Sequence, residues 1–532
     1  MENINNDNST NINSLLINAM LLTDGYKLGH ITMYPKGMTK LYSNFTPRSN
    51  KHFPEANYGA VVFGTHYLVK HYLIDEFNKT FFNRPKDTVV NEYRTLLENF
   101  LGKDVAKKIG TAHIEALHDL GYLPILIKAL PEGSRCPFGV PMLTITNTHK
   151  DFAWLTNYLE TLISTVLWKP VNSATTSDVF KRELIRHAKK TGFFNPKDTS
   201  NLDFLCHDFS MRGMSGIEDS MISGMGHLVS FSGSETIPAI LTAQHYYDAP
   251  KNIAGTIPAT EHSIECTCAV DEEGIPDDER YFREMLYRFP NGNVSIVCDG
   301  FDYWHVITKI LPKYKDKIMS RNGRVVIRPD SGDPVKIICG DSLAKENAVN
   351  IGTYEYLCRL FGGKINHKGY LELDSHIGLL YGDAINIKRQ KEIYERLEKK
   401  GIAATNLVLG IGSYTYQCVS RDQLGLAMKA TYCEVTNEDG TVTCKDIYKD
   451  PKTVVGMPKK SLRGLIKVEC VDGRFVAHEQ VTKEEETLGI LQPIFENGKE
   501  YNFIPFEGIK QNRKFGLLFE IENEGKLKCD DN

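Results

Sequence analysis

The sequence predicts an α/β barrel joined to a second, mainly β lobe built from both ends of the chain. Three observations predict it. Apolar, strand-like runs alternate with helix-like segments through the middle of the chain, the pattern of parallel strands with crossover helices. Successive runs stop at polar residues or glycine, where a barrel of this kind gathers its active site. Both flanks instead read as short strands broken by Pro and Gly turns.

In chain order, residues 1–14 (MENINNDNSTNINS) read as a polar tail. Residues 15–165 supply the first part of the lobe, with short strands in LPILIKALPEG and PMLTITNT and joining helices near 62–80 and 152–190. Residues 166–422 form the barrel. Within it LDFLCHD ends at Asp208, and TIPATEH carries Glu261 and His262. NVSIVCD, Asn293 to Asp299, reads as a buried strand, followed by the helix DYWHVITKILP with Asp302 as its N-cap. RVVIRPD, Arg324 to Asp330, is the next strand, and a helical stretch runs from about Leu343 to Phe361. IGLLYGD, Ile377 to Asp383, follows. The strongest helix spans Asn386 to Lys400: Ile387, Tyr394 and Leu397 share a face, and Lys399, Lys400 and Gly401 suit its end. NLVLGIGS, Asn406 to Ser413, is the last barrel strand. Residues 423–525 complete the lobe as further short strands, and residues 526–532 form a second tail.

The 532 residues carry a formal charge of -4, so no broad nucleic-acid surface is expected. Hydrophobic content of 41% and charged content of 24% are ordinary for a globular protein. The twelve cysteines include no C-x-x-C pair, and Cys266 and Cys268 stand one residue apart, an unusual spacing for zinc. Free thiols and a start without the cationic residues of a signal peptide predict a cytoplasmic protein. The apolar patch from Leu15 to Leu22 is too short to cross a bilayer.

The chemistry is concentrated at the strand ends. In VVIRPDSGDP, Val325 to Pro334, a buried strand stops at an arginine and a carboxylate two residues apart. That pair reads as a salt-bridged turn or as the meeting place of a phosphate and an electron-poor sugar. GIGS at 410–413 is either a common turn or a loop whose amides converge on a phosphate. Arg212, Arg328 and Arg421 offer guanidinium forks suited to phosphate. Asp299, Asp330 and Asp383 suit sugar hydroxyls, Mg²⁺ or a developing positive charge. His262 beside Glu261 is a structural or a catalytic histidine on spacing alone.

Together HDFSMRG (207–213), GSET (233–236), ATEHS (259–263), VSIVCDGFD (294–302), VVIRPDSGDP, YGD (381–383) and GIGSYTYQCVSRD (410–422) resemble the nicotinamide phosphoribosyltransferase family. TDGYKLGHITMYPKG, Thr23 to Gly37, resembles that family's opening motif. The resemblance runs in order from about residue 20 to about residue 465. It implies a type II phosphoribosyltransferase barrel that joins nicotinamide to 5-phosphoribosyl-1-pyrophosphate, releases pyrophosphate, and works with Mg²⁺. It also implies a head-to-tail homodimer whose active sites are shared; the charge balance and the hydropathy predict no nucleic-acid or membrane partner.

By the resemblance, Phe209 and Tyr26 of the other subunit sandwich the pyridine ring, and Asp24 and Glu235 lie toward its amide. Arg212 matches the ring-side arginine and Arg328 the phosphoribose-side one. Asp330, Gly382 and Asp383 match ribose contacts, and Gly412 and Ser413 the 5-phosphate cradle. Arg48, Arg421, Lys429 and Lys449 match basic groups around phosphates, given largely across the interface. His262 matches a histidine phosphorylated by ATP, which thereby stimulates the reaction, and Asp299 the carboxylate that orients it. GSET stands where the family often has Gly-Thr-Asp-Thr, so Glu235 keeps the charge on a longer arm. The lysines near Lys459 and Lys460 do not align. A nicotinate phosphoribosyltransferase of the same fold is the nearest alternative. A glycosidase-like barrel or a silent binding protein explains fewer of the residues.

Overall fold

Six short parallel strands form the central sheet, in the order Gly233–Ser234, Cys206–Asp208, Leu407–Ile411, Ile377–Tyr381, Val325–Arg328, Val294–Val297. The computed structural model describes residues 16–341, 347–452 and 460–523. Both predicted tails, Leu343 and Lys459 lie outside the described residues. Segment 255–260 bridges the two edges of the sheet, with Gly255 against Gly233 and Ala259 against Ser295. The Thr260 amide donates to the Ser295 carbonyl at 3.0 Å, and the Ser295 amide to the Pro258 carbonyl at 2.8 Å. These single bridges curl the sheet into an irregular barrel.

The strands lie where the apolar runs predict, because a parallel strand covered on both faces is apolar throughout. All five residues of Ile377–Tyr381 are buried. The helix Ile387–Lys399 starts on Asn386, whose side chain accepts from the Arg389 amide, and buries Ile393, Tyr394 and Leu397. Asp302 caps its helix, accepting from the His305 amide at 2.9 Å.

The second lobe is a seven-stranded antiparallel sheet that interleaves the chain ends. Met38–Thr46 lies between Ala427–Thr436 and Leu143–Asn147, and Ile125–Ala129 pairs with Gln492–Glu496. One 32-residue helix, Glu160–Thr191, serves both cores. Its Leu162 to Val179 side packs with the lobe, and Phe180, Leu184, Ile185 and Ala188 pack with the barrel.

Two regions depart from the expectation of short strands. The first lobe segment also contains the helices Lys86–Leu101, Lys103–Ile109 and Ala112–Leu120. The end of the chain holds a 17-residue helix, Phe506–Glu522. Its buried stripe is Ile509, Arg513, Leu517 and Ile521, so an arginine interrupts the apolar spacing. Arg513 is tolerated there because its guanidinium meets the Ser230 carbonyl at 3.3 Å and Asp178 at 3.8 Å. No helix among the described residues is long and apolar enough to cross a membrane.

Candidate active site

A cavity of about 1480 Å³ opens among the strand ends of the barrel. Phe209, Arg212, Glu235, Arg328, Asp330, Gly382, Asp383, Gly412 and Ser413 all line it. Its size exceeds the roughly 300–1,000 Å³ of ordinary small-ligand pockets, so it has room for a ring and a phosphorylated sugar together.

Phe209 is set by the strand before it. Its amide donates to the Ile411 carbonyl at 2.9 Å, which locks the turn to the neighbouring strand. Gly410 makes space for the ring, since a Cβ there would lie 2.5 Å from Phe209 Cδ2. The Arg328 guanidinium lies 5.4 Å from the ring centroid. Asp208, just before, is fully buried and spends both oxygens on structure. It accepts from the Ser210 amide at 2.9 Å, the Ser210 hydroxyl at 2.6 Å and the Thr236 hydroxyl at 2.7 Å. Those bonds fix the turn that carries Arg212.

The RPD motif folds back on itself. Arg328 donates to Asp330 at 3.1 and 3.3 Å, and to the Thr260 carbonyl at 3.3 Å. Gly382 is required for this approach, because a Cβ would sit 2.3 Å from Asp330 Oδ1. Tyr381 donates to the Ser331 and Gly332 carbonyls at 3.0 and 2.9 Å and holds the following turn. Opposite, Gly412 caps the short helix Ser413–Gln417. A Cβ on Gly412 would meet nothing within 4 Å, while one on Gly213 would strike Ser413 Oγ at 2.1 Å. The Arg212 turn and the GIGS turn therefore touch at Gly213, and Gly412 leaves open space.

Glu235 is exposed in the cavity, with the Thr256 hydroxyl donating to its Oε1. His262 and Asp299 stand behind the rim and do not line the cavity. His262 Nε2 lies 3.1 Å from Asp299 Oδ1, and Asp299 Oδ2 accepts from the amides of Asp330 and Ser331 at 2.8 and 2.6 Å.

Asp24, Tyr26, Arg48, Arg421, Lys429 and Lys449 do not line this cavity. They gather instead around the lobe sheet. Tyr26 is 62% exposed, and Asp24 accepts from the Thr161 hydroxyl at 2.7 Å. Burial and then the charges of Glu160 and Asp24 raise the Tyr26 pKa, which Arg421 opposes. Burial lowers the pKa of Arg48, with Arg421 adding to the effect. Burial likewise lowers that of Lys429; Glu160 opposes, and Arg48, Lys449 and Arg421 reinforce. Within one chain the cations Arg48, Arg421, Lys429 and Lys449 thus lie near one another and outside the cavity lining.

Thr256, Thr260 and Glu265 were missed by the sequence reading. Thr256 and Thr260 lie in the barrel-closing segment, whose Gly, Pro and Thr content hides its role. Glu265 stands three residues beyond His262 on one helix, a spacing that could have found it.

Residues 204–497 match the model of the nicotinate phosphoribosyltransferase (NAPRTase) family. Residues 18–127 match the nicotinamide phosphoribosyltransferase N-terminal domain. The chain is 42% identical over 496 residues to a nicotinamide phosphoribosyltransferase of Acinetobacter baylyi, covering 91% of this chain and 95% of the relative. It is 33% identical over 451 residues to one from Mycoplasma pneumoniae, covering 82% and 92%. The fold is similar to that of a nicotinate-nucleotide pyrophosphorylase from Pyrococcus furiosus, with a TM-score of 0.50 and 14% identity over 96% of this chain and 97% of that one. With the curated relatives matched along nearly their whole length, the chain belongs to the nicotinamide phosphoribosyltransferase family.

Proposed function

We propose that the chain transfers phosphoribose from 5-phosphoribosyl-1-pyrophosphate to nicotinamide, giving nicotinamide mononucleotide and pyrophosphate. The observation that carries this reading is the single cavity shared by an aromatic face, the Arg328–Asp330 pair and the Gly412–Ser413 turn.

The ring lies on Phe209, a contact contributing roughly 0.5–1.5 kcal/mol beyond its burial. The ribose sits between Asp330 and the Gly382–Asp383 turn, with its 5-phosphate toward Gly412 and Ser413. The C1–oxygen bond breaks, and its electron pair leaves with pyrophosphate. Asp330 then faces a cationic C1, an attraction of about 4 kcal/mol at 4 Å with an effective dielectric of 20. The lone pair of the ring nitrogen forms the new bond. That nitrogen carries no proton, so no general base is needed and positioning supplies much of the rate. Mg²⁺ carried on the pyrophosphate as part of the substrate would spread the charge of the leaving group.

Glu235 favours the amide. Its carboxylate accepts from an amide NH₂ and repels a nicotinate carboxylate. In this reading His262 Nδ1 bonds to the γ-phosphorus of ATP as the bond to the bridging oxygen breaks, and that electron pair leaves with ADP. A carboxylate only accepts, so Asp299 keeps the proton on Nε2 and leaves the Nδ1 lone pair for phosphorus. The exposed Tyr26 and the cation cluster complete the cavity of a second copy in a homodimer. The separation of the two half-sites within one chain supports that arrangement.

Pyrophosphate release from 5-phosphoribosyl-1-pyrophosphate, measured with nicotinamide, with nicotinate and with or without ATP, tests the chemistry. No nicotinamide-dependent release overturns it. Mixing Tyr26→Ala with Phe209→Ala tests the shared site: about a quarter of wild-type activity returns, the statistical share of intact sites in a two-fold dimer. No recovery on mixing contradicts sharing.

A further inference from the structure

His262, Glu265 and Asp299 form a compact set of donors behind the cavity rim. One ligand atom from each lies within 4.8 Å of the other two. The helix His262–Ala269 places Glu265 one turn after His262. Glu265 is 0% exposed, and neither carboxylate oxygen has a hydrogen-bond partner. It is pressed against Gly300, where a Cβ would lie 2.6 Å from Oε2.

A buried carboxylate without a partner, facing a second carboxylate, is poorly stable unless its charge is answered. Burial pushes Glu265 up to about 7; the Asp299 charge adds to this, while the Gly300 amide and His262 oppose it. The Gly300 amide is near Glu265 but forms no hydrogen bond of full geometry with either oxygen. A proton answers the charge and leaves an acceptor and a new donor unmet. A cation answers the charge and the unmet oxygens together.

We propose that His262 Nε2, Asp299 Oδ1 and a Glu265 oxygen form a binding site for a divalent cation of borderline hardness, Zn²⁺ or Co²⁺. One imidazole nitrogen with two carboxylates suits those ions, whereas Mg²⁺ favours oxygen and keeps its waters. Asp299 Oδ2 stays on the Asp330 and Ser331 amides, which orient the ligand from outside the site. The His262 side chain is 44% exposed, so the ion has an open side for water. Metal on Nε2 moves the imidazole proton to Nδ1, the nitrogen assigned above to phosphorus. The ion therefore blocks the ATP-coupled step; this consequence rests on the reading of His262, and the site itself does not.

The test is a titration of chelator-treated, full-length protein with Co²⁺ alone, followed by visible absorption. Wild type is expected to develop saturable d–d bands at one equivalent. Glu265→Gln and His262→Ala are each expected to weaken binding at least about tenfold. Wild type without a saturable band, or Glu265→Gln binding as tightly as wild type, overturns the proposal. If Glu265→Gln fails to fold, His262→Ala, altered at a partly exposed side chain, decides alone: unchanged Co²⁺ affinity overturns it. The titration contains no substrate, so its failure and the failure of the transferase reading are separate results.

Discussion

One carboxylate joins His262 to the turn after Arg328: Asp299 Oδ1 lies 3.1 Å from His262 Nε2, and Oδ2 accepts from the Asp330 amide at 2.8 Å. The same oxygen accepts from the Ser331 amide at 2.6 Å. Asparagine at 299 keeps the shape but accepts at one end only. Asp299→Asn should therefore lose ATP stimulation and also slow the ATP-free reaction. An unmet donor costs about 1–3 kcal/mol, or roughly five- to 160-fold in rate if expressed at the transition state. His262→Asn should lose the stimulation alone. Initial rates with and without ATP compare the two, and identical profiles sink the link.

Asp330 tests the cationic transition state. Asp330→Ala should lower kcat roughly a hundred- to a thousandfold, the scale of one lost electrostatic stabiliser. In the proposed reaction the ring contacts Phe209 and not Asp330, so the KM for nicotinamide should move little. Steady-state kinetics separate the two parameters, and parallel losses in kcat and nicotinamide affinity argue against this role.

Two glycines at the cavity make opposite predictions. In Gly382→Ala the new Cβ falls 2.3 Å from Asp330 Oδ1 and displaces that carboxylate. Turnover should drop up to about a hundredfold, the effect of a displacement near 1 Å. Gly412 has an ordinary φ of -84° and open space where its Cβ would be. Gly412→Ala should melt no lower than wild type and raise the KM for 5-phosphoribosyl-1-pyrophosphate. A Gly412→Ala protein with unchanged KM removes the phosphate cradle from that turn.

The barrel strands were legible because strands buried on both faces are apolar end to end, as in Ile377–Tyr381. Their polar ends pointed to the cavity residues. Closure of the barrel was not legible, since GTIPATE looks like a loop and bridges the edges at single points. The last helix escaped because Arg513 occupies its buried stripe, a choice intelligible only beside Asp178 and Ser230. Glu265 escaped for the same reason: its weight depends on Asp299, 34 residues away in the chain. Phe209 is singled out through the resemblance alone, and its place in the cavity depends on the missing side chain of Gly410.

On the proposed reading, Glu235 sets the choice between amide and acid. Repulsion between carboxylates 4 Å apart is about 4 kcal/mol with an effective dielectric of 20, a ceiling near a thousandfold. Thr256 already donates to Oε1, which leaves Oε2 for the ring substituent. Glu235→Ser should raise kcat/KM for nicotinate relative to nicotinamide by roughly ten- to a thousandfold. Competition assays with both rings measure the ratio, and no gain for the acid contradicts this assignment.

His207 makes the fold sensitive to mild acid. It is 7% exposed, its Nδ1 has no partner, and a Cβ on Gly233 would lie 2.2 Å from its ring. Burial pushes its pKa down to about 4, with His227 adding and Asp208 opposing. The unfolded chain takes the proton near the ordinary value of about 6.5. Between those values the unfolded state binds more protons, so stability rises with pH. The contribution is complete above about 6.5 and is lost as pH falls toward about 4, a change of order 3 kcal/mol. Urea midpoints at about pH 7.5 and about pH 4.5 should converge more in His207→Gln than in wild type. Burial pushes His113 to about 4 as well, so part of the decline should persist in the variant. An equal acid-induced loss in both proteins rules out His207 as its source.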